Sequence, residues 1–495
     1  MISTPHVDWF AISTILVLLG ASFVALLGAV LVPASARRAF ALSVSVLGFA
    51  GGLVTSIWLY VASADGHLVV AGAFYRDRWT MLSQIILCGI GLATSLVAAE
   101  HVARPRDEHI SEFFALLLAS VAGMTAFVGS GNLMIMFLAL EWFSIALYVM
   151  CAIDYDVEDS LEAGLKYLII GSFGSAALLF GSALVYGATG RIGFADIAHT
   201  VGSRGLSGDA LLVLGLAMII AGLGFKTSSA PFHMWTPDVY EGAPTTVTAF
   251  MSAATKVAAF ALAFRLLRTA FPQEEHLWSW AFAGIAVASL VIGNLAALVQ
   301  RNLKRMLAYS SVSHAGFLLI GLSAGSALGG RALMYYLIVY AAMAFGSFAV
   351  IAARERELGE PVTLDNLAGF GWERPFLGIA MWFFLFGFAG LPLGGGFVAK
   401  FYVLSAAYRH GWSWLVVVGV IATLVSLYYY LAVVRAMYMR PSAELRLAVV
   451  AGGSPPREPL LHVAVGLALA VSVGSLFAVE PVIDLAKHAV GSLPF

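Results

Sequence analysis

Long apolar runs separated by short polar stretches fill almost all of this 495-residue sequence. A helix needs about 20 mainly apolar residues to cross the roughly 30 Å hydrocarbon core of a bilayer. Fourteen runs come close to or exceed that length: 10–31, 39–62, 80–99, 112–128, 132–153, 161–187, 208–232, 245–269, 277–298, 303–323, 331–353, 375–406, 413–436 and 459–479. Charged residues make up only 11% of the chain, against about 25% in soluble proteins. The sequence therefore predicts an all-α membrane protein that forms a single polytopic domain over residues 1–495.

Composition also excludes several classes of function. The net charge of −1 gives no case for nucleic-acid binding. The two cysteines, Cys88 and Cys151, fall in or beside different runs and suggest neither a disulfide framework nor a metal cluster. The sequence shows no metal-ligand spacing, no nucleophile–base set and no phosphate-cradling glycine loop. We therefore expect no cofactor and no metal in this chain. No basic segment precedes the first run, so we expect that run to be a retained helix.

The distribution of lysine is the first functional signal. The chain has 27 Lys and Arg residues but only six lysines: Lys166, Lys226, Lys256, Lys304, Lys400 and Lys487. Four of the six lie inside apolar runs and Lys304 lies at the start of one, whereas the arginines lie at run ends or in loops. Lysine can lose its proton when it is removed from water, but arginine effectively cannot. A path that loads and releases protons could therefore use lysine and not arginine.

Lys256 lies deepest of these lysines. It falls near the middle of the run 245–269, roughly 17 Å from either helix end at 1.5 Å per residue. Its side chain is too short to reach the membrane surface from that depth. A charge there costs about 2.5–3.5 kcal/mol on insertion scales. We interpret Lys256 as part of an ion or proton path.

The seventh and twelfth runs contain helix breakers. Pro231, together with the serines just before it, interrupts the seventh run. Pro392, followed by Gly394–Gly396, interrupts the twelfth. Lys226 borders the first break and Lys400 follows the second. Broken helices inside a membrane are tolerated where they line a wet cavity or are buried in protein, and transporters use them at ion sites. We predict that helices 7 and 12 are discontinuous.

Two polar pairs repeat at a matching spacing. Glu141 in run 5 precedes Lys226 by 85 residues, and His314 in run 10 precedes Lys400 by 86. This spacing predicts two five-helix repeats, from runs 4–8 and runs 9–13, and an odd number of helices per repeat inverts the second relative to the first. Coincidence between two widely spaced pairs is the alternative. The first repeat would cover residues 112–269 and the second residues 277–436.

Five residues form the candidate path: Glu141, Lys226, Lys256, His314 and Lys400. We expect Glu141 to form an ion pair with Lys226 that sets the proton affinity of the lysine. A protonated, structural glutamate is the alternative. His314 extends the polar line between Lys256 and Lys400, although a lone helical histidine is often a packing residue.

Other polar residues remain ambiguous. Lys166 is a sixth candidate, but it lies near the start of run 6, where its side chain could equally extend to the membrane surface. Lys304 lies beside a basic loop and could be a topology anchor. His233 and Asp238 would lie at a turn after run 7, with either a structural or a proton-conducting role. Tyr428–Tyr430 could hydrogen-bond into the path or only pack.

The basic loops predict the orientation of the chain. Loops after odd-numbered runs carry fourteen basic residues and the opposite side carries nine. Cytoplasmic loops are enriched in Lys and Arg, so this bias places both termini outside the cytoplasm. The fourteen residues are Arg37, Arg38, Arg104, Arg106, Arg301, Lys304, Arg305, Arg354, Arg356, Arg374, Arg435, Arg440, Arg446 and Arg457.

Four segments carry a resemblance to a known family. They are LEAGLKYLIIGSFGSAALLFGSALVYGATG (161–190), FKTSSAPFHMWTPDVYEGAPTTVTAF (225–250), NLAALVQRNLKRMLAYSSVSHAGF (294–317) and FAGLPLGGGFVAKFYVLSAAY (388–408). The chain resembles the antiporter-like membrane subunits of respiratory complex I, bacterial NADH-quinone oxidoreductase. The HMWTPDVYEGAP form and the lysine at 400 are similar to the subunit N branch of that family.

The resemblance implies fourteen helices, two inverted five-helix units and a proton path through the five candidate residues. It implies that FMN, iron–sulfur clusters and quinone are bound by partner subunits, and that the partners include neighbouring antiporter-like and small membrane subunits. It also implies the bacterial inner membrane as the location. The LPLGGG and TSSAPF segments depart from the commoner family forms, which leaves the water path at both breaks open.

Two other functions use the same features. A subunit of a multi-subunit cation/proton antiporter, or of a membrane-bound hydrogenase, would need the same buried lysines. The signature at 236–244 favours the NADH-quinone oxidoreductase. A purely structural membrane spacer is the third alternative, and the depth of Lys256 argues against it.

Overall fold

The computed structural model describes residues 7–63, 66–101, 109–439 and 458–493, and these residues are almost entirely helical. The predicted all-α class is confirmed. Several basic residues that support the predicted orientation lie outside the described residues: Arg104, Arg106, Arg440, Arg446 and Arg457.

The helices follow one another with short connections. The first seven are α1 (Ser13–Leu31), α2 (Ala34–Ala62), α3 (Arg78–His101), α4 (Ile110–Val128), α5 (Leu133–Cys151), α6 (Glu158–Thr189) and α7 (Phe194–Arg204). The next six are α8 (Ala210–Lys226), α9 (Trp235–Gly242), α10 (Thr245–Ala270), α11 (Glu275–Leu298), α12 (Leu303–Ser323) and α13 (Ala327–Leu358), with a 3-10 turn at Pro272–Glu274. The last six are α14 (Phe370–Glu373), α15 (Pro375–Ala389), α16 (Gly395–Arg409), α17 (Ser413–Met439), α18 (Pro459–Phe477) and α19 (Val479–Gly491).

Within the described residues, twelve helices are long and apolar enough to cross a membrane. Two shorter apolar helices, α8 and α15, occupy the seventh and twelfth predicted runs. The fourteen predicted runs are therefore all helical, and the two predicted to be discontinuous are the two that the structure divides.

The first break follows Lys226 and extends to the start of α9 at Trp235. Ser228 adopts a left-handed conformation there, with φ +58°. The second break separates α15 from α16. Gly390 ends α15 with φ +77°, a conformation that glycine adopts without steric cost. A Cβ on Gly396 would lie 2.1 Å from the carbonyl oxygen of Gly387, so only glycine fits where the two half-helices overlap.

The centre of the bundle is α10, the helix that carries Lys256. Nearly every residue of α10 is buried, and the same holds for much of α12 and α13. A helix that is apolar all round belongs in the interior of a bundle. α10 packs against α13 and α3, and α12 packs against α11 and α13. The candidate path residues on α10 and α12 are therefore held away from lipid.

A short hairpin and a buried ion pair were not predicted. Strands β1 (His67–Val69) and β2 (Phe74–Arg76) pair antiparallel between α2 and α3. Just after β2, Asp77 accepts two hydrogen bonds from Arg265 of α10, at 2.6 and 2.8 Å, and both side chains are fully buried. We predicted Arg265 at a run end, but it lies inside α10, where the carboxylate of Asp77 compensates its charge.

Candidate functional site

Two buried lysines, Lys226 and Lys256, are held at the break between α8 and α9. Lys226 is the last residue of α8, and its Nζ donates to the hydroxyl of Ser144 at 2.7 Å. Lys256 of α10 donates to the carbonyl oxygen of Thr227 at 2.8 Å. Both side chains are buried. Unwinding after Lys226 frees the carbonyl of Thr227, so Lys256 binds backbone exposed by the break, at the residue next to Lys226.

The predicted direct ion pair between Glu141 and Lys226 is absent from the described residues. The hydroxyl of Ser144 is the group that Lys226 contacts, and Glu141 Oε1 has no hydrogen-bond partner. The reason is the rotation of α5. Glu141 is half-buried and lies on the outward face of that helix, in line with exposed apolar side chains. These are Met134, Leu138, Ile145 and Val149.

His314 lies in a buried network of tyrosines near the middle of α12. Its Nδ1 is 2.7 Å from the hydroxyl of Tyr336, and its Nε2 is 3.1 Å from the hydroxyl of Tyr430. Tyr430 also bonds Ser310, and Tyr429 donates to Asn294 at 3.0 Å. Hydrogen-bonded hydroxyls on both ring nitrogens give His314 partners for proton exchange.

The tyrosine run in α17 is divided by the rotation of that helix. Tyr429 and Tyr430 are buried and hydrogen-bonded into the network, whereas Tyr428 is 71% exposed. The sequence alone could not show which of the three tyrosines hydrogen-bond and which does not.

Lys400 lies on α16, just after the second break. Its side chain is buried, and its methylene stem packs against Gly390. Nζ is 4.5 Å from the centroid of the Phe317 ring and makes no hydrogen bond to any described residue. A buried ammonium without an acceptor is costly. Lys400 is therefore the least compensated cation among the candidates, which suits a group that changes its proton occupancy.

Lys166 lies apart from these buried side chains. It is 40% exposed and forms ion pairs with Glu162 at 2.5 Å and Asp238 at 3.2 Å. Asp238 also pairs with Arg305 at 2.7 Å. Burial raises the pKa of Asp238, but the hydrogen bonds from Arg305 and Lys166 outweigh that effect and lower it. This cluster joins α6, α9 and α12 at one end of the bundle.

Lys304 is more buried than a topology anchor would be. Its Nζ donates to the carbonyl oxygen of Ala243 at 2.9 Å and to the hydroxyl of Thr245 at 3.0 Å, and Glu355 lies 3.8 Å away. These residues lie in the wall of a polar cavity of about 980 Å³ at the N-terminal end of α10. The cavity brings water-accessible space to the helix that carries Lys256.

Comparison with known proteins defines the class. The profile of the NADH:quinone oxidoreductase/Mrp antiporter transmembrane family matches residues 130–426, which contain all five path candidates. The chain belongs to this family.

Individual relatives indicate which branch of the family the chain resembles. It is 41% identical over 403 residues to the NADH-quinone oxidoreductase subunit N of Trichlorobacter lovleyi, covering 81% of each chain. It is 36% identical to subunit N 2 of Roseiflexus castenholzii, covering 98% of this chain and 97% of the relative. The resemblance to the subunit N branch is confirmed.

Solved structures agree with the fold. A chain of respiratory complex I from Thermus thermophilus matches with a TM-score of 0.78 at 31% identity, covering 96% of this chain and 99% of that one. A chain of the Mrp complex from Dietzia sp. matches with a TM-score of 0.83 at 22% identity, covering 97% of each chain. The second match, at that identity, shows a shared fold alone.

Proposed function

We propose that this chain is a proton-translocating membrane subunit of an NADH:quinone oxidoreductase, of the subunit N type. The observation that carries the proposal is the convergence of Lys226 and Lys256 on one helix break in the buried centre of the bundle. Lysine can lose its proton when it is removed from water, and arginine effectively cannot. Two buried lysines at one break are therefore suited to load and release protons, which is what a relay needs.

The relay runs from Glu141 through Lys226 and Lys256 to His314 and Lys400. Ser144 links the first lysine to α5, and Tyr336 and Tyr430 provide hydroxyls beside the histidine. Each step moves a proton between side chains or bound water without covalent chemistry. Lys166 could supply a surface charge at one end, since it is exposed and paired.

Redox chemistry belongs to partner subunits in this proposal. They would bind FMN, iron–sulfur clusters and quinone, and carry electrons from NADH to quinone. Among the described residues, no group of three or more His, Cys, Asp or Glu side chains is placed to hold a metal ion. This chain's own residues would bind and move protons, and the neighbouring antiporter-like and small membrane subunits would transmit the coupling.

We propose a bacterial inner-membrane location with both termini on the periplasmic side. The bias of basic residues towards loops after odd-numbered runs supports this orientation. The polar cavity beside Lys304 would then open on the cytoplasmic side, where protons are taken up.

Two inverted five-helix units, 112–269 and 277–436, account for the two breaks. Each break falls in the fourth helix of its unit, and each is flanked by a lysine. Helices at equivalent positions of the two units also pack in the same way. In the first unit α4 packs against α5, and in the second α11 packs against α12. Likewise α6 packs against α8 and α9, and α13 packs against α15 and α16. These correspondences support the repeat.

A subunit of a multi-subunit cation/proton antiporter is the second candidate. The structural match to the Mrp complex supports a shared scaffold and no more. The identity to subunit N relatives favours the oxidoreductase.

Purification from native membranes tests the proposal. An affinity-tagged chain should co-purify with NADH:quinone activity and with flavin, in constant ratio across size fractions. Vesicles containing the complex should take up protons on NADH addition. An antiporter subunit would co-purify with neither activity nor flavin, and its vesicles would exchange Na⁺ for protons instead.

A further inference from the structure

Lys226 has an unusual environment. Four aromatic ring centroids lie close to its Nζ: Phe143 at 5.1 Å, Tyr167 at 5.3 Å, Phe225 at 5.6 Å and Tyr148 at 5.7 Å. All four side chains are buried. They come from three helices, α5, α6 and α8, which close around the ammonium at the helix break.

The rings are held in place by further packing. Tyr167 stacks on Trp235 of α9, with centroids 4.5 Å apart and planes 12° from parallel, and meets Tyr148 edge-on at 4.8 Å. Trp235 donates from its indole to the carbonyl oxygen of Phe225 at 3.2 Å, across the break. The orientation of the rings is thus fixed by the same residues that fix the broken helix.

No carboxylate in the described part of the chain lies within ion-pair distance of Lys226. Its hydrogen bond goes to the neutral hydroxyl of Ser144. The negative faces of aromatic rings attract a cation, and this attraction grows when the cation is removed from water. The four ring faces therefore lie where they can attract the ammonium directly.

We propose that Phe143, Tyr148, Tyr167 and Phe225 form a cation–π cage that positions Lys226 at the break and stabilises its ammonium form. The inference rests on the proposed function, since it assigns the groups that hold the proton-loaded state of one relay residue. Among the described residues, Lys400 at the second break contacts one aromatic ring, that of Phe317. The two breaks thus hold their lysines differently, so the loaded state is compensated more fully at the first.

Tyr167 offers a sharp test, because its hydroxyl makes no hydrogen bond to described residues. Tyr167→Phe keeps the ring and removes only this hydroxyl, so it is the parent of the test series. From that parent, mono-, di- and trifluorinated phenylalanine at position 167 weaken the negative ring face stepwise with little change in shape. NADH-driven proton uptake should fall along the series by roughly two- to tenfold in total, while the complex stays assembled on native gels.

A matched series at Phe49 controls for fluorination itself, because that ring is fully buried against Gly91. It should leave uptake unchanged. If the 167 series disrupts assembly, the same series at Phe143, the nearest ring, replaces it.

Two results would overturn the cage. One is equal uptake by the trifluorinated and Tyr167→Phe complexes, and the other is loss of uptake in Tyr167→Phe, which would assign the role to the hydroxyl. Lys226→Ala is measured in parallel. If that variant pumps normally, the proposed proton path is wrong; if it fails while the fluorinated series is flat, only the cage is wrong.

Discussion

At the scale of single residues, neutral oxygens hold the two lysines at the first break: the hydroxyl of Ser144 binds Lys226 and the carbonyl oxygen of Thr227 binds Lys256. The depth of Lys256 follows from its place in an apolar run, and its burial is confirmed. The contact expected between Glu141 and Lys226 is wrong, because spacing along the chain does not give the rotation of a helix. The large apolar side chains around Glu141 at helical spacing were a signal of its outward position.

Glu141 should act on Lys226 at a distance. Glu141→Gln removes the charge and keeps the shape, so we expect slower NADH-driven proton uptake than in wild type, with Glu141→Asp intermediate. Ser144→Ala removes the direct acceptor of Lys226 and serves as the comparison. Uptake by Glu141→Gln equal to wild type would exclude an electrostatic role for the carboxylate.

Lys400→Arg should be nearly as damaging to proton uptake as Lys400→Ala. Arginine keeps the positive charge but stays protonated, because its pKa is above about 12. Lys400→Met, which is similar in length and uncharged, controls for the loss of packing against Gly390. Native gels check assembly, since the larger head must fit beside Phe317. Wild-type uptake by Lys400→Arg would mean that Lys400 never releases its proton.

At the scale of elements, the two broken helices could be predicted because proline, serine and glycine act locally. Pro231 and Pro392 marked the right runs, and the structure unwinds beside both. The β1–β2 hairpin and its link to α10 were not predictable, since the strands are three residues each and the pairing of Asp77 with Arg265 spans 188 residues.

Asp77→Asn should destabilise the fold markedly. It leaves the fully buried Arg265 without a counter-charge, which costs about 3–5 kcal/mol. Glu275→Gln is the control. It removes the ion-pair partner of Arg268, which lies on α10 like Arg265. Because Glu275 is 45% exposed, its loss should cost about 0–1 kcal/mol. Thermal unfolding of the purified complexes measures both. Similar unfolding temperatures for the two variants would show that the buried pair contributes little.

At the scale of the whole molecule, the chain is a bundle built around one buried helix. α10 brings Lys256 to the first break, and α12 carries His314 towards the second. The positions of the apolar helices and the family could be read from apolar runs and motifs, whereas the short helices between them could not. The tyrosine network and the aromatic cage could not, because they depend on side chains from helices far apart in the sequence.

Proton uptake by Lys256 variants tests the central claim most directly. Lys256→Ala should assemble with the other subunits yet lose proton uptake by about 100-fold. Lys256→Gln keeps an N–H donor for the carbonyl of Thr227 and should fail equally, which separates proton transfer from capping of the break. NADH-driven uptake in membrane vesicles is measured against the amount of assembled complex. Wild-type uptake by an assembled Lys256→Gln complex would contradict the account.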